Sequence, residues 1–469
     1  MKNNLLNRRQ FIRDASLYAT SIGCGMMTGP LSGQVSAPPE GEEWRRSIQH
    51  KKEGLRPREV VLQEARSNIE QHRKGKMLLS IRHGSDVLAS QPVSLAMQDH
   101  YFDWGCSSLR TRDSFPDEDA FRQYMQPMRA LFNATTAKCY WDERWHQPIE
   151  KEEGVRILDR FLAEVETGYE SGMRVKGHPL VWTIPKGIPQ WMRKYDHEKR
   201  VMIWERHVKD LVRQGGDRIH NWDVVNEMLW EPAMKNIYER DWPHIDPIDD
   251  IADYVAMALR WTREENPNPI RIINDYGLIQ EFNDLFSVKD QRKRYVKLVE
   301  ALRQRDELPH AIGVQSHVGR WYEPDEVVQA YDELALAGLP IHVTEYWARL
   351  QDAPFETEGI PEEELDEMLR QYLCDFYTVA FGHPAVEHIT YWGNPFVERE
   401  GNTTHMYEAL YDLIQREWTT NLTVQSNPDG LVSLDAFYGD YLLKINGQSL
   451  RFSFTPHDNG LTRLLTFDF

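Results

Sequence analysis

A chain of 469 residues is too long for one small core, and 41% apolar with 27% charged content describes a soluble globular protein, a barrel-sized domain plus a smaller module. A formal net charge of -18 excludes a nucleic-acid binder, whose surface must be basic, and works against binding a strongly anionic polymer. Four cysteines at 24, 106, 139 and 374, with no CxxC pair and no zinc spacing, offer neither a disulfide framework nor a metal site.

The first stretch carries Arg8-Arg9, then Phe11-Ile12 and a weakly apolar run. It resembles a twin-arginine export signal over residues 1–37, with Val35-Ser36-Ala37 as the cleavage site. Export would take the protein to the periplasm or the extracellular space. The alternatives are a basic tail, or a lipoprotein signal at Ile22-Gly23-Cys24, where Ser21 occupies a position that expects an aliphatic residue. No other stretch could span a bilayer. Residues 38–55 read as a Pro- and charge-rich linker, and 58–74 as a helix. Residues 76–102 alternate apolar and polar side chains around His83-Gly84-Ser85-Asp86, a β-hairpin signal.

From 103 to 415 short apolar strands alternate with helical segments. The strands are predicted at Asp103–Ser108, Asn133–Asp142, Arg174–Trp182, Ile219–Glu227, Ile270–Leu278, Ala311–Val318, Ile341–Ala348 and Val386–Pro395. Between the second and third, residues 152–172 place Ile157, Leu158, Phe161, Leu162 and Val165 on one helical face. Eight strand–helix units of this size predict an α/β protein built on a (β/α)8 TIM barrel. An open doubly wound sheet is the competitor, and the GxGxxG turn it would use is missing. Residues 416–469 turn to period-2 runs broken by Asn427-Pro428-Asp429-Gly430 and Asn446-Gly447, whose residues tolerate positive φ. They predict a small all-β accessory module. Two or three strands alone are marginal in water, so this module and the 76–102 extension are expected to pack together against the barrel's side.

Barrel sites form at the C-terminal ends of the strands. There this sequence carries Asn226-Glu227, Glu345, His178 with Trp182, Asn274-Asp275-Tyr276-Gly277, Gln315-Ser316-His317 and Tyr391-Trp392. Each alone is an ordinary surface or structural residue. Together they bring acids, amides, imidazoles and tryptophans to one rim. Two carboxylates facing each other across that rim suit glycosidic bond cleavage. One protonates the leaving oxygen, and the other attacks the anomeric carbon or activates water.

The stretches Asn221-Trp222-Asp223-Val224-Val225-Asn226-Glu227, Gly177-His178-Pro179-Leu180-Val181-Trp182, Asn274-Asp275-Tyr276-Gly277, Gly313–Val318, His342–Trp347 and Ile389–Pro395 resemble, in order, the motifs of glycoside hydrolase family 10, the retaining endo-β-1,4-xylanases. The outer segments resemble the β-rich extensions of a divergent bacterial subgroup. The resemblance implies Glu227 as acid/base and Glu345 as nucleophile. It implies that Asn226 bonds the sugar 2-hydroxyl and that His178 and Trp182 line the attacked-sugar subsite. Gln315 and His317 would contact or orient the nucleophile, and Trp392 would form a wall. Tyr276 and Trp141 join them as substrate-binding candidates. No cofactor is implied, and the partner is a polysaccharide.

Departures from the pattern fall beside the attacked sugar. Where the family carries Glu-Asn and Lys-Trp, this chain has Lys138, Cys139, Tyr140, Trp141 and Asp142. Thr183-Ile184-Pro185-Lys186 replaces His-Ser-Gln, and Trp347 replaces the Asp that would partner His317. Three functions stay open: cleavage of internal β-1,4 linkages in xylan, the same chemistry on a decorated xylan or another β-glycan, and a non-catalytic carbohydrate-binding barrel. Trp145, Trp191, Trp230, Trp242 and Trp321 fall in or near loops, as sugar-stacking or gap-filling rings.

Overall fold

The computed structural model describes residues 54–142, 148–237, 245–281, 286–317 and 319–467. The predicted export signal, most of the predicted linker, Cys24, Trp145, His146, Trp242 and Val318 lie outside the described residues. In chain order the elements begin with α1 (Arg58–His72), β1 (Lys74–His83), β2 (Asp86–Val87) and β3 (Pro92–His100). The barrel follows as β4 (Asp103–Cys106), α2 (Glu118–Leu131), β5 (Ala134–Lys138), α3 (Asp159–Glu170), β6 (Arg174–His178) and β7 (Val181–Trp182). It continues through α4 (His197–Gly215), β8 (Ile219–Asn226), α5 (Ile248–Glu265), β9 (Ile270–Asp275), α6 (Val288–Gln304) and β10 (Ala311–Val314). It ends with α7 (Pro324–Ala335), β11 (Ile341–Tyr346), α8 (Glu362–Gly382), β12 (Val386–Tyr391) and α9 (His405–Tyr411). Last come β13 (Asn421–Gln425), β14 (Leu431–Phe437), β15 (Gly439–Ile445), β16 (Gln448–Phe454) and β17 (Thr462–Phe467).

Strands β4, β5, β6, β8, β9, β10, β11 and β12 pair in parallel and in order, and β12 pairs back onto β4. This closes the predicted (β/α)8 barrel, with β7 extending β6 along β8. Each strand is shorter at its C-terminal end than the sequence suggests. After β8 and β10 the reason is local: Glu227 and Ser316 adopt φ of +60° and +49°, left-handed turns that take the chain out of the ladder. Helix α3 starts at Asp159, later than the periodicity implies. Gly154 takes φ +81°, Glu152 bridges Val155, and Ile157 stays 40% exposed.

The barrel axis is unusually polar. Lys176 Nζ lies 3.1 Å from Asp223 Oδ2, Arg174 Nε lies 2.6 Å from Asp103 Oδ1, and the His342 and His388 rings stack at 4.6 Å. Trp222 points the other way, toward the helices. A Cβ on Gly177 would sit 2.2 Å from its ring, so a side chain there would expel it. Helix α1 packs on α8 through Val61, Leu62, Ala65 and Ile69. Gly382 allows this approach, since a Cβ would lie 2.5 Å from the Ala65 carbonyl oxygen.

The extension is not a simple hairpin. Only the β1–β2 stub closes around Gly84-Ser85. Strand β1 lies between β14 and β17, while β3 lies between β13 and β15 in a second sheet. Both strands keep their apolar alternation, and Met77, Leu79 and Ile81 face Val93 and Leu95 across one core with Tyr441, Leu443, Phe452 and Phe454. The partner strands come from the C-terminal segment because two isolated strands cannot bury such a core. The two sheets meet the barrel at the N-terminal ends of its strands rather than along its side. His100 packs edge-on to Trp104, Phe381 and Phe437, and Asn133 Nδ2 donates to Asp99 at 2.7 Å. The opposite end of the barrel is left open as the mouth. Among the described residues no helix is long and apolar enough to cross a membrane.

Candidate active site

Glu227 follows the last residue of β8. Its backbone N–H donates to the Asn274 carbonyl at 2.7 Å, and this bond holds the left-handed turn. A non-glycine residue in that region stores strain that the surrounding structure must sustain. The side chain is 4% exposed, and Trp182 Nε1 donates to its Oε2 at 2.7 Å. Burial pushes its pKa up to about 7, against the opposing effects of the Trp182 N–H, Lys186, Asn226 and Glu231. A carboxyl that holds its proton near neutral pH is suited to general acid work.

Glu345 lies in β11 and is fully buried. Two imidazoles face it. His317 Nε2 lies 2.9 Å from Oε2, and His178 Nε2 lies 3.8 Å from Oε1. Burial pushes the pKa of His317 well below its ordinary value, and Arg349 adds to that effect. A neutral His317 donates to the carboxylate only with its proton on Nε2. His178 Nδ1 lies 2.7 Å from Asp223 Oδ2, which in turn takes Lys176 at 3.1 Å. This chain fixes the His178 ring and leaves its buried Nε2 without a hydrogen bond. Gln315, 1% exposed, likewise has an Nε2 without a hydrogen bond among the described residues. Buried polar atoms of this kind suit sugar hydroxyls.

The remaining candidates divide. Asn226 accepts a hydrogen bond from Asn274 Nδ2 and flanks Glu227. Trp392 is half-buried, 5.6 Å from the His178 ring, and Tyr276 is half-buried at the end of β9 beside Trp230. Trp141 does not join them. It is 4% exposed, stacks on His207 at 3.8 Å, packs edge-on to Trp204 and donates to Glu150. His207 and Trp204 belong to α4, outside the strands, and Glu150 to the loop before α3. The next side chain along takes the inward place, and Tyr140 lies 5.6 Å from both His178 and Trp182. Trp347, where the family carries an acid, packs 4.0 Å from the His317 ring, with the Arg349 guanidinium 4.0 Å from the centre of its own ring.

Sequence reasoning gave no role to Asp223, Asn274, Asp275 or Glu231. Asp275 accepts from the backbone N–H of Leu229 and Tyr276, and burial raises its pKa well above the usual range. Asp223, Asn274 and Asp275 stood inside the motifs already singled out, and their place toward strand ends beside Asn226-Glu227 and His178 was the available signal. Cys106, Cys139 and Cys374 are free thiols.

A closed barrel with two buried carboxyls in different environments at its C-terminal mouth defines the glycoside hydrolase class of barrel. The family model "Glycosyl hydrolase family 10" matches residues 111–396, and the chain belongs to that family. Endo-1,4-beta-xylanase C of Paenibacillus barcinonensis is 27% identical over 66% of this chain, which spans 31% of that relative. Endo-1,4-beta-xylanase B of Thermotoga neapolitana is 28% identical over 60% of this chain and 74% of its own. Xylanase 10B of Thermotoga petrophila RKU-1, solved in complex with xylobiose, shares the fold with a TM-score of 0.52 at 23% identity, over 68% of this chain and 95% of that one.

Proposed function

We propose that this protein is a retaining glycoside hydrolase that cleaves internal β-1,4 linkages of xylan or a related plant-type polysaccharide. Glu345 attacks the anomeric carbon while Glu227 protonates the departing glycosidic oxygen. The product of that step is a glycosyl ester of Glu345. Glu227, now ionised, takes a proton from water, whose oxygen attacks the anomeric carbon, breaks its bond to Glu345 and releases the sugar with its starting configuration. The observation that carries this reading is the contrast between the two buried carboxyls. Glu227 is pushed toward the protonated form by burial, and Glu345 faces the His317 and His178 imidazoles. His178, Trp182, Asn226 and Gln315 would hold the attacked sugar, with Trp392 as its wall and Tyr276 on the leaving-group side.

Membership of the family and the relatives named endo-1,4-beta-xylanase support xylan as the backbone. A decorated xylan or another β-glycan is favoured by one observation: Tyr140, not Trp141, faces the mouth beside Lys138 and Cys139. A carbohydrate-binding barrel has no use for an acid held in a strained, buried turn. Digesting a panel of β-glycans and reading product masses, with proton NMR on the first anomer released, tests the reading. Release of the α-anomer first would overturn retention. Absence of cleavage on every β-glycan would overturn the hydrolase. We further propose twin-arginine export, to which free thiols are no obstacle. Replacing Arg8 and Arg9 by Lys should retain the protein in the cytoplasm, and unchanged export would contradict the route.

A further inference from the structure

Two cations inside this barrel are held by carboxylates. Lys176 holds Asp223 at 3.1 Å, and Arg174 holds Asp103 at 2.6 Å. Lys138, the last residue of β5, is not held in this way. Its ammonium makes neither a hydrogen bond nor an ion pair among the described residues, and it lies 4.8 Å over the Trp392 ring. Trp392 packs on His178, and His178 faces Glu345, so the free ammonium stands on the nucleophile's side of the mouth. Glu164 is close but already occupied. It accepts from the Lys138 backbone N–H at 2.8 Å and from Arg160 Nε at 3.1 Å. Burial lowers the Lys138 pKa, and the Glu164 and Glu345 carboxylates oppose that shift. A desolvated lysine without a counter-ion is costly, and the usual remedy is an anion.

A ring face with a cation above it offers a sugar two things at once: a stacking surface and a charge. A neutral hydroxyl needs only an amide. We propose that Lys138 binds a carboxylate carried by the glycone of the substrate, so that the protein selects a uronate-bearing β-glycan over its neutral counterpart; this rests on the glycoside hydrolase reading above. The chain's net charge of -18 repels such a polymer at long range. That repulsion is screened beyond roughly 10 Å, whereas a contact at Lys138 is not.

The test compares glucuronoxylan with the same polymer after its carboxyl groups are reduced to alcohols. Wild-type kcat/KM should be roughly ten- to a hundredfold higher on the acidic polymer, the range of a charge-assisted hydrogen bond. In Lys138→Met that ratio should fall toward one, whatever the change common to both polymers, and Lys138→Arg should restore part of it. Equal wild-type values on the two polymers, or an unchanged ratio in Lys138→Met, would overturn the inference and leave the hydrolase intact. If neither polymer is cleaved, the hydrolase reading is what fails. The inference is then read by calorimetry with a glucuronic-acid-bearing xylo-oligosaccharide and its carboxyl-reduced form, and equal affinities overturn it.

Discussion

The β-module at one end of the barrel and the mouth at the other bury side chains for opposite reasons. The module's core is Met77, Leu79, Ile81, Leu95, Tyr441, Leu443, Phe452 and their neighbours, and among its described residues no Asp, Glu, Lys or Arg is buried. The mouth buries Asp223, Glu227, Glu231, Asp275 and Glu345. Burying apolar area stabilises a fold, roughly 25 cal/mol per Å2. Burying a carboxylate opposes folding unless it is bonded or protonated. The mouth therefore draws on stability supplied elsewhere, and the module is held together by an apolar core. Substitutions in the two regions should separate activity from stability.

The largest expected effect is in the mouth. Glu345→Ala should reduce kcat on xylan and on aryl glycosides by at least about 10^4-fold, equivalent to roughly 5.5 kcal/mol. Its melting temperature should stay level or rise, because a buried carboxylate has gone. Full activity in this variant would end the assignment. Glu227→Ala should lose about 10^2- to 10^4-fold on xylan and spare the first step on aryl glycosides with acidic leaving groups. Added azide should restore its turnover, since an anion attacks without base help. Azide without effect on an activated aryl glycoside would reverse the division of roles.

In the module the pattern inverts. Leu443, fully buried, should cost about 2–5 kcal/mol when replaced by Ala, with kcat at 25 °C unchanged. A denaturant titration beside a xylan assay reads both. A parallel fall in kcat would show that the two regions are coupled.

A smaller effect concerns pH. Glu227 titrates near 4.5 when unperturbed and at about 7 in the fold. Between those values the folded protein keeps a proton that the unfolded chain has lost. Stability should therefore fall as pH rises from about 4.5 to about 7, by no more than about 3 kcal/mol, and level off above. Calorimetry at pH 5 and 7 should show Glu227→Gln losing less than the wild type. Hydrolysis of poor leaving groups should also slow as pH passes about 7, where the acid is ionised. The smallest effect is at Trp141, whose place is outside the strands. Trp141→Phe should cost about 1 kcal/mol of stability and leave KM for xylan unchanged. A severalfold rise in KM would return this residue to the mouth.

The sequence by itself determined the barrel. Eight strand–helix units, each with its own period, are local patterns, and closure follows once strands pair in order. It also delivered Glu227, Glu345, His178, Trp182 and Gln315 to one end, because strand polarity fixes which residues lie at C-terminal ends. Only the tertiary structure decided what those residues meet. Trp182 and Glu227 are 45 positions apart, as are His178 and Asp223, and no local period relates them. A loop has no alternation to read, so Tyr140 could not be told from Trp141 as the inward ring until β5 was seen against β6 and α4. The 76–102 segment has the alternation of a hairpin, yet alternation names a buried face and not the partner strand. That choice fell to β14, β17, β13 and β15, which supply the core two strands lack. The setting of Lys138 is the same kind of fact: composition counts a lysine, and only packing shows that its ammonium lies over Trp392 with no ion pair among the described residues.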